Sequence, residues 1–279
     1  MPGILQTDAC PMRAKNKSLI EFISVNLIDN HNRGGSLLTV SDPACYKIVM
    51  RHVLFQSNHY MQQCQLSSLN DLMNVTLMRN GPFEDSSSSA SLFLLPPNSN
   101  TTVNDVTAED NAGTLFQVDR AAIDVGSSHF SRNSACRMGV IFTHASDISI
   151  SASTFDSNLC EKNSAVRIEG GSGYSSGDTP IRILDCIFQS NWNGGVSVMS
   201  FHQSQIMISD STFKKNKAES GSGGAIFLSD CIDCTVHISN SWFESNKANY
   251  TGGAVEIKDS SGNMTFLNSE FHSNEAGRL

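Results

Sequence analysis

Charge is scarce in this chain. Only 16% of its 279 residues are Asp, Glu, Lys or Arg, against ~25% in an average soluble domain. The net charge of −8 is acidic, and no cluster of Lys and Arg offers a footprint for nucleic acid or an anionic membrane. Long apolar runs are missing too. None approaches the ~18 residues that a membrane-spanning helix needs, so no transmembrane segment is expected. Residues 1–17 contain Gln6, Asp8, Arg13 and Lys15 with no apolar stretch between them, so no secretory leader is expected in the sequence as written. There is no phosphate-binding loop, no dinucleotide-binding glycine motif and no Asp-Asp dipeptide. The eight histidines are scattered and form no ligand set or Ser/His/Asp constellation. No catalytic residue, metal site or cofactor is therefore expected.

Small polar residues fill the gap: 42 Ser and 24 Asn. A surface that is polar without being charged suits a secreted or surface-exposed protein, so the expected location is extracellular or at a cell surface. The expected partner is a protein or glycan.

Self-comparison reveals a repeat. An aromatic-x-x-Asn unit recurs at Phe55–Asn58, Phe130–Asn133, Phe155–Asn158, Phe188–Asn191, Phe213–Asn216, Phe243–Asn246 and Phe271–Asn274. Degenerate copies are Leu27–Asn30, Leu77–Asn80 and Ala108–Asn111, giving ten units spaced 22 to 33 residues apart. Five positions before the aromatic, all ten residues are apolar; seven positions before, eight of ten are. Apolar residues two apart mark a strand with one buried face. Two positions before the aromatic sits a small or β-branched residue, which gives a second short strand. A third follows the glycine pairs in Gly194-Gly195-Val196, Gly223-Gly224-Ala225 and Gly252-Gly253-Ala254.

Three short strands per repeat, in fixed register, describe one coil of a parallel β-solenoid. The expected fold is all-β: a right-handed, single-stranded parallel β-helix of about ten coils over residues 18–279. Residues 1–17 are expected to be an irregular segment, and the helix to be truncated at its C-terminal end. Coils stack ~4.8 Å apart, so equivalent residues form ladders. Phe155, Phe188, Phe213, Phe243 and Phe271 should stack in the core, and Asn158, Asn191, Asn216, Asn246 and Asn274 should bond the turn backbone.

The pairing of Phe-x-x-Asn with Gly-Gly-Ala-Ile or Gly-Gly-Ala-Val, best seen in Phe213–Leu228 and Phe243–Ile257, resembles the repeat of the polymorphic outer membrane proteins. That resemblance implies a β-helix of pectin-lyase-like shape and an adhesin-like role, at the outer membrane if the source is bacterial. The alternative is a carbohydrate-active lyase or hydrolase of the same shape.

Asp185 and Asp210 occupy one column in consecutive coils. One coil rise is close to the ~5–5.5 Å that separates the carboxyl groups of retaining glycosidases, and calcium is a further use for such a pair. The column falls between two strands, however, where Asp, Asn and Ser accept unusual backbone angles, so a structural corner is the first expectation. Eight cysteines fit disulfides in an oxidising compartment, with Cys136 and Cys160 in neighbouring coils and Cys231 and Cys234 as a loop staple or a pair of thiols. Asn-x-Ser/Thr sequons occur at Asn16, Asn74, Asn100, Asn249 and Asn263. Two excursions, Gly170–Pro180 with Tyr174 and the stretch from Gly81 to Ser89, are candidate partner loops.

Overall fold

The computed structural model describes residues 5–7, 18–36, 38–40, 45–62, 64–66, 69–82, 91–134, 138–160, 163–170, 180–199, 204–219 and 221–277. Every named strand pairs in parallel with its equivalents one repeat away, as in Ile181↔Ile206↔Val236↔Met264 on the first face of the coil. The second face shows the same register in Phe155↔Phe188↔Phe213↔Phe243↔Phe271. The third face is a ten-stranded sheet. Among the described residues no helix is long and apolar enough to cross a membrane.

Regular turns number about seven rather than ten. In the second and third coils the first strand runs into the second without a break, as Cys45–Gln56 and Leu69–Met78. A strand at Leu5–Thr7 lies within residues 1–17 and pairs with Leu38–Val40.

The inside of the coil is dry and aromatic. Phe155, Phe188, Phe213 and Phe243 have no exposed surface, and their rings stack at 4.8, 5.0 and 5.0 Å, nearly parallel. Phe271 continues the stack at 4.6 Å from Phe243 but is 47% exposed. Register puts it on the column, yet no described coil covers its far side. The two polar exceptions to the apolar column seven before the aromatic, Asn70 and Thr101, are neighbours. Asn70 Nδ2 donates to Thr101 Oγ1 at 2.9 Å, so the misfits satisfy each other inside the coil.

Corners are set by backbone handedness. The residue three before the aromatic has φ between 46° and 55° in all ten coils, from Ser24 to Asn268. The residue just before the Asn behaves alike, from Asp29 to Ser273. This left-handed region costs a non-glycine residue ~1–2 kcal/mol, so something must offset it at each corner. Beside the second corner that is the Asn ladder, continuous from Asn30 to Asn274. Asn216 is representative. Its backbone N–H and its Nδ2 both donate to Asn246 Oδ1, at 3.1 and 3.0 Å. Nδ2 also donates to the Phe188 carbonyl at 2.8 Å. A second ladder runs inside the first corner, where the Cys186 N–H donates to Ser211 Oγ and the Ser211 N–H to Ser241 Oγ, at 3.1 and 3.3 Å.

Candidate functional site

With the core uniform, differences between coils reside in the turns. Between the ladder Asn and the first inward residue of the third strand, the Asn158, Asn216 and Asn246 coils insert seven, nine and eight residues. The Asn191 coil inserts four, reaching Val196 through Trp192-Asn193-Gly194-Gly195. A short turn between two long ones leaves a notch. It has a volume of about 180 Å³.

Two glycines let the short turn pack closely against its neighbours. Gly194 has φ +99°, and a Cβ there would stand 3.2 Å from Ser164 Oγ and 3.3 Å from the Gly223 carbonyl. A Cβ on Gly195 would meet the Ala225 carbonyl and the Phe188 side chain, each at 3.1 Å. Asn193, itself left-handed at φ 66°, ties the neighbouring turns together. Its Nδ2 donates to the Cys160 carbonyl at 2.7 Å, and its Oδ1 accepts the Glu219 N–H at 3.2 Å. Asn163 and Ser164 form one wall; Ala218, Gly221, Ser222 and Phe227 form the other. Ser197 and Met199 project from the third strand into the space between. Ser197 is only 5% exposed, and its Oγ has no hydrogen-bond partner among the described residues.

Beside the notch, the same face carries an ionisable row. Arg167 and Glu169 are paired in register with Ser197 and Met199, and one coil further on Glu169 pairs with His144, which pairs with Asp119. His144 Nδ1 lies 2.9 Å from Asp119 Oδ1, and Arg120 reaches the other carboxylate oxygen at 3.0 Å. Partial burial pushes the Asp119 carboxyl upward, but the hydrogen bonds from His144 and Arg120 outweigh it and hold the group below its ordinary value. Arg167 is bonded to Glu169 and Asn163, with its guanidinium 5.8 Å over the Phe142 ring.

Asp185 and Asp210 lie elsewhere. Both are exposed at the first corner, with φ of 52° each. Their backbone N–H groups donate to Ser209 and Ser239 carbonyls at 3.0 and 3.1 Å. Asp210 Oδ1 accepts from Asn240 Nδ2 at 3.2 Å, so the acid serves as one more corner residue bonded to the next.

Cys160 is disulfide-bonded, while Cys136 lies outside the described residues. Cys231 and Cys234 are buried together at one corner. The Cys231 side chain bonds that of Cys234 and pulls its thiol down to about 7, against the upward push of burial. Cys186 is a buried free thiol, raised to about 11 by desolvation. Tyr174 and its loop, Asn16, and the stretch from Phe83 to Ser89 lie outside the described residues. Among the described residues no group of His, Cys, Asp and Glu is placed to hold a metal ion.

The model of the right-handed beta helix region matches residues 98–278, which is more than half of the chain. The chain belongs to the right-handed beta helix family. That assigns the hand of the coil. No curated protein matches this β-helix by sequence. Similar solved structures include the catalytic domain of a GH87 alpha-1,3-glucanase in complex with tetrasaccharides, 10% identical with a TM-score of 0.29, over 94% of this chain and 64% of that one. Another is HetL, a pentapeptide repeat protein involved in heterocyst differentiation regulation from the cyanobacterium Nostoc, 10% identical with a TM-score of 0.20, over 89% of this chain and 88% of that one. The β-helix described here therefore spans less than two thirds of the glucanase domain.

Proposed function

We propose that this β-helix is a non-enzymatic, adhesin-like binding protein, secreted or held at a cell surface, which meets a protein or glycan partner through its turns. The observation that carries this reading is the notch: none of the described residues lining it is charged, so what they offer is shape and hydrogen bonds rather than acid–base groups. The low overall charge and the likeness of Phe213–Leu228 and Phe243–Ile257 to the polymorphic outer membrane protein repeat support the same reading.

A second reading has its own observation. The Asp119–His144 pair, followed one coil on by Glu169, is the kind of oriented imidazole that general-base chemistry uses. The test is an assay of the purified chain against a glycan array, host cells and soluble polysaccharides, reading both retention and new reducing ends or unsaturated products. Binding without turnover is expected, and Asp185→Asn and Asp210→Asn should leave it unchanged. Turnover abolished by His144→Ala in a folded protein would replace the binding reading with the enzymatic one.

A further inference from the structure

We infer that the notch at the short Asn191 turn is the seat of one uncharged sugar ring, which deepens the binding reading by naming a ligand class and a place. Size comes first. The notch offers a space of about 180 Å³. It is well below the ~300 Å³ at which pockets begin to take drug-sized ligands. A single ring with its hydroxyl groups fits such a space; a folded partner's loop does not.

Chemistry comes second. A buried hydroxyl without a partner is uncommon, because losing water without replacing its hydrogen bonds is unfavourable. Ser197 Oγ is such a group, on a residue that lines the notch. A sugar hydroxyl, able to donate and accept at once, completes it whichever way the serine proton points. Phe227, Met199 and Ala218 give the notch an apolar side, which suits the C–H face of a pyranose. Ser222 is held in place by its hydrogen bond to Thr251 Oγ1 at 2.8 Å. None of the described lining residues is ionised, and Arg167 beside them is already paired with Glu169, so a uronate or a sulfated sugar would surrender its hydration for little counter-charge in return.

Two variants of the full chain test this. Ser197→Ala removes the hydroxyl and nothing that the described structure uses, so its melting temperature should stay level or rise. Gly221→Trp plugs the notch from its rim, where a Cβ meets no atom within 4 Å, so folding should be unaffected.

The assay is saturation-transfer NMR and titration calorimetry with glucose, galactose, N-acetylglucosamine and their neutral disaccharides. Galacturonate and a sulfated galactose serve as charged controls. Weak binding of at least one neutral sugar is expected, weakened about fivefold or more by Ser197→Ala, as fits the loss of one hydrogen bond, and abolished by Gly221→Trp. Equal binding in both variants would move the ligand off the notch and overturn the inference, while leaving the binding reading standing. Preference for the charged controls would overturn the ligand class. If no sugar binds the parent, the inference fails, and retention on cells or immobilised proteins decides the binding reading separately.

Discussion

Replacing Asn216 with alanine removes one rung of a ladder in a place water does not reach. Asn216 has no exposed surface. Its loss strips the Phe188 carbonyl of a donor, and strips the Asn191 backbone N–H and side-chain amide of their shared acceptor. The Asn191 backbone N–H and the Phe188 carbonyl lose these partners in the buried interior, while the Asn191 side chain keeps only its bond to the Phe155 carbonyl at 2.9 Å. At ~1–3 kcal/mol for each unsatisfied buried group, with partial relaxation of the coils, the cost is about 3–5 kcal/mol. Asn274 holds the same position in the last described coil, where its amide donates to the Phe243 carbonyl at 2.9 Å but is only half-buried. Asn274 Oδ1 also accepts from the Asn246 backbone N–H and Nδ2, at 3.0 and 2.9 Å, but with no described coil beyond it water can enter the vacated place, so Asn274→Ala should cost clearly less than Asn216→Ala. Because a solenoid unfolds in neighbouring units rather than all at once, urea titration should be joined by hydrogen exchange. The Asn191 amide, bonded to Asn216 Oδ1 at 3.1 Å, should lose protection before distant coils do. Equal costs for the two variants, or unchanged exchange at Asn191, would refute the ladder as the element that holds the second corner.

Further outcomes follow from the same geometry. Phe213→Ala should destabilise by ~3–5 kcal/mol as a buried aromatic truncation, and Phe271→Ala by far less because its ring is 47% exposed; urea midpoints of the two variants compare them. Ala152 sits in the left-handed first corner at φ 46°, so Ala152→Gly should stabilise by up to about 1 kcal/mol, seen as a higher melting temperature. Cys186, with its thiol pushed up to about 11 by burial, should resist a thiol reagent at neutral pH until the coils open. Its modification rate then reports local unfolding, and rapid labelling of native protein would contradict its placement. Lowering the pH should weaken the contact between Asp119 and His144. The carboxyl is held below its ordinary value of 3.8, so the stability it contributes is complete above that value and is lost as pH falls through the depressed one. A His144→Gln variant should flatten that acid limb of the stability profile.

Much of this was written openly in the sequence. A parallel solenoid places equivalent residues one above another, so any interaction that must recur in every coil leaves a residue type that recurs in every repeat. Phe213 and Asn216 are legible for that reason, and so is the corner occupied by Asp185 and Asp210. The notch is not legible in this way, because it arises from a difference between repeats. No single residue marks it; only the short path from Asn191 to Val196, set against its neighbours, does. Ser197 looked like any outward serine until the third strand and two flanking turns closed around it. His144 and Asp119 lie 25 residues apart in columns where no residue type repeats, so periodicity carries no trace of their contact. The exposure of Phe271 is an end effect, invisible to a pattern that treats all coils alike.

The direction of the ladders has a mechanical consequence. Hydrogen bonds between parallel strands run along the axis of this β-helix, and so do the side-chain links of the Asn column from Asn30 to Asn274. Tension applied along that axis would load the bonds of one coil boundary end-on rather than shearing all boundaries together. The coils would then peel singly from an end. Each would release 22 to 33 residues, roughly 70 to 120 Å of slack at ~3.3–3.6 Å per residue, before the next boundary bore the load. A molecule built in this way lengthens under traction by counted steps while the remaining coils stay folded.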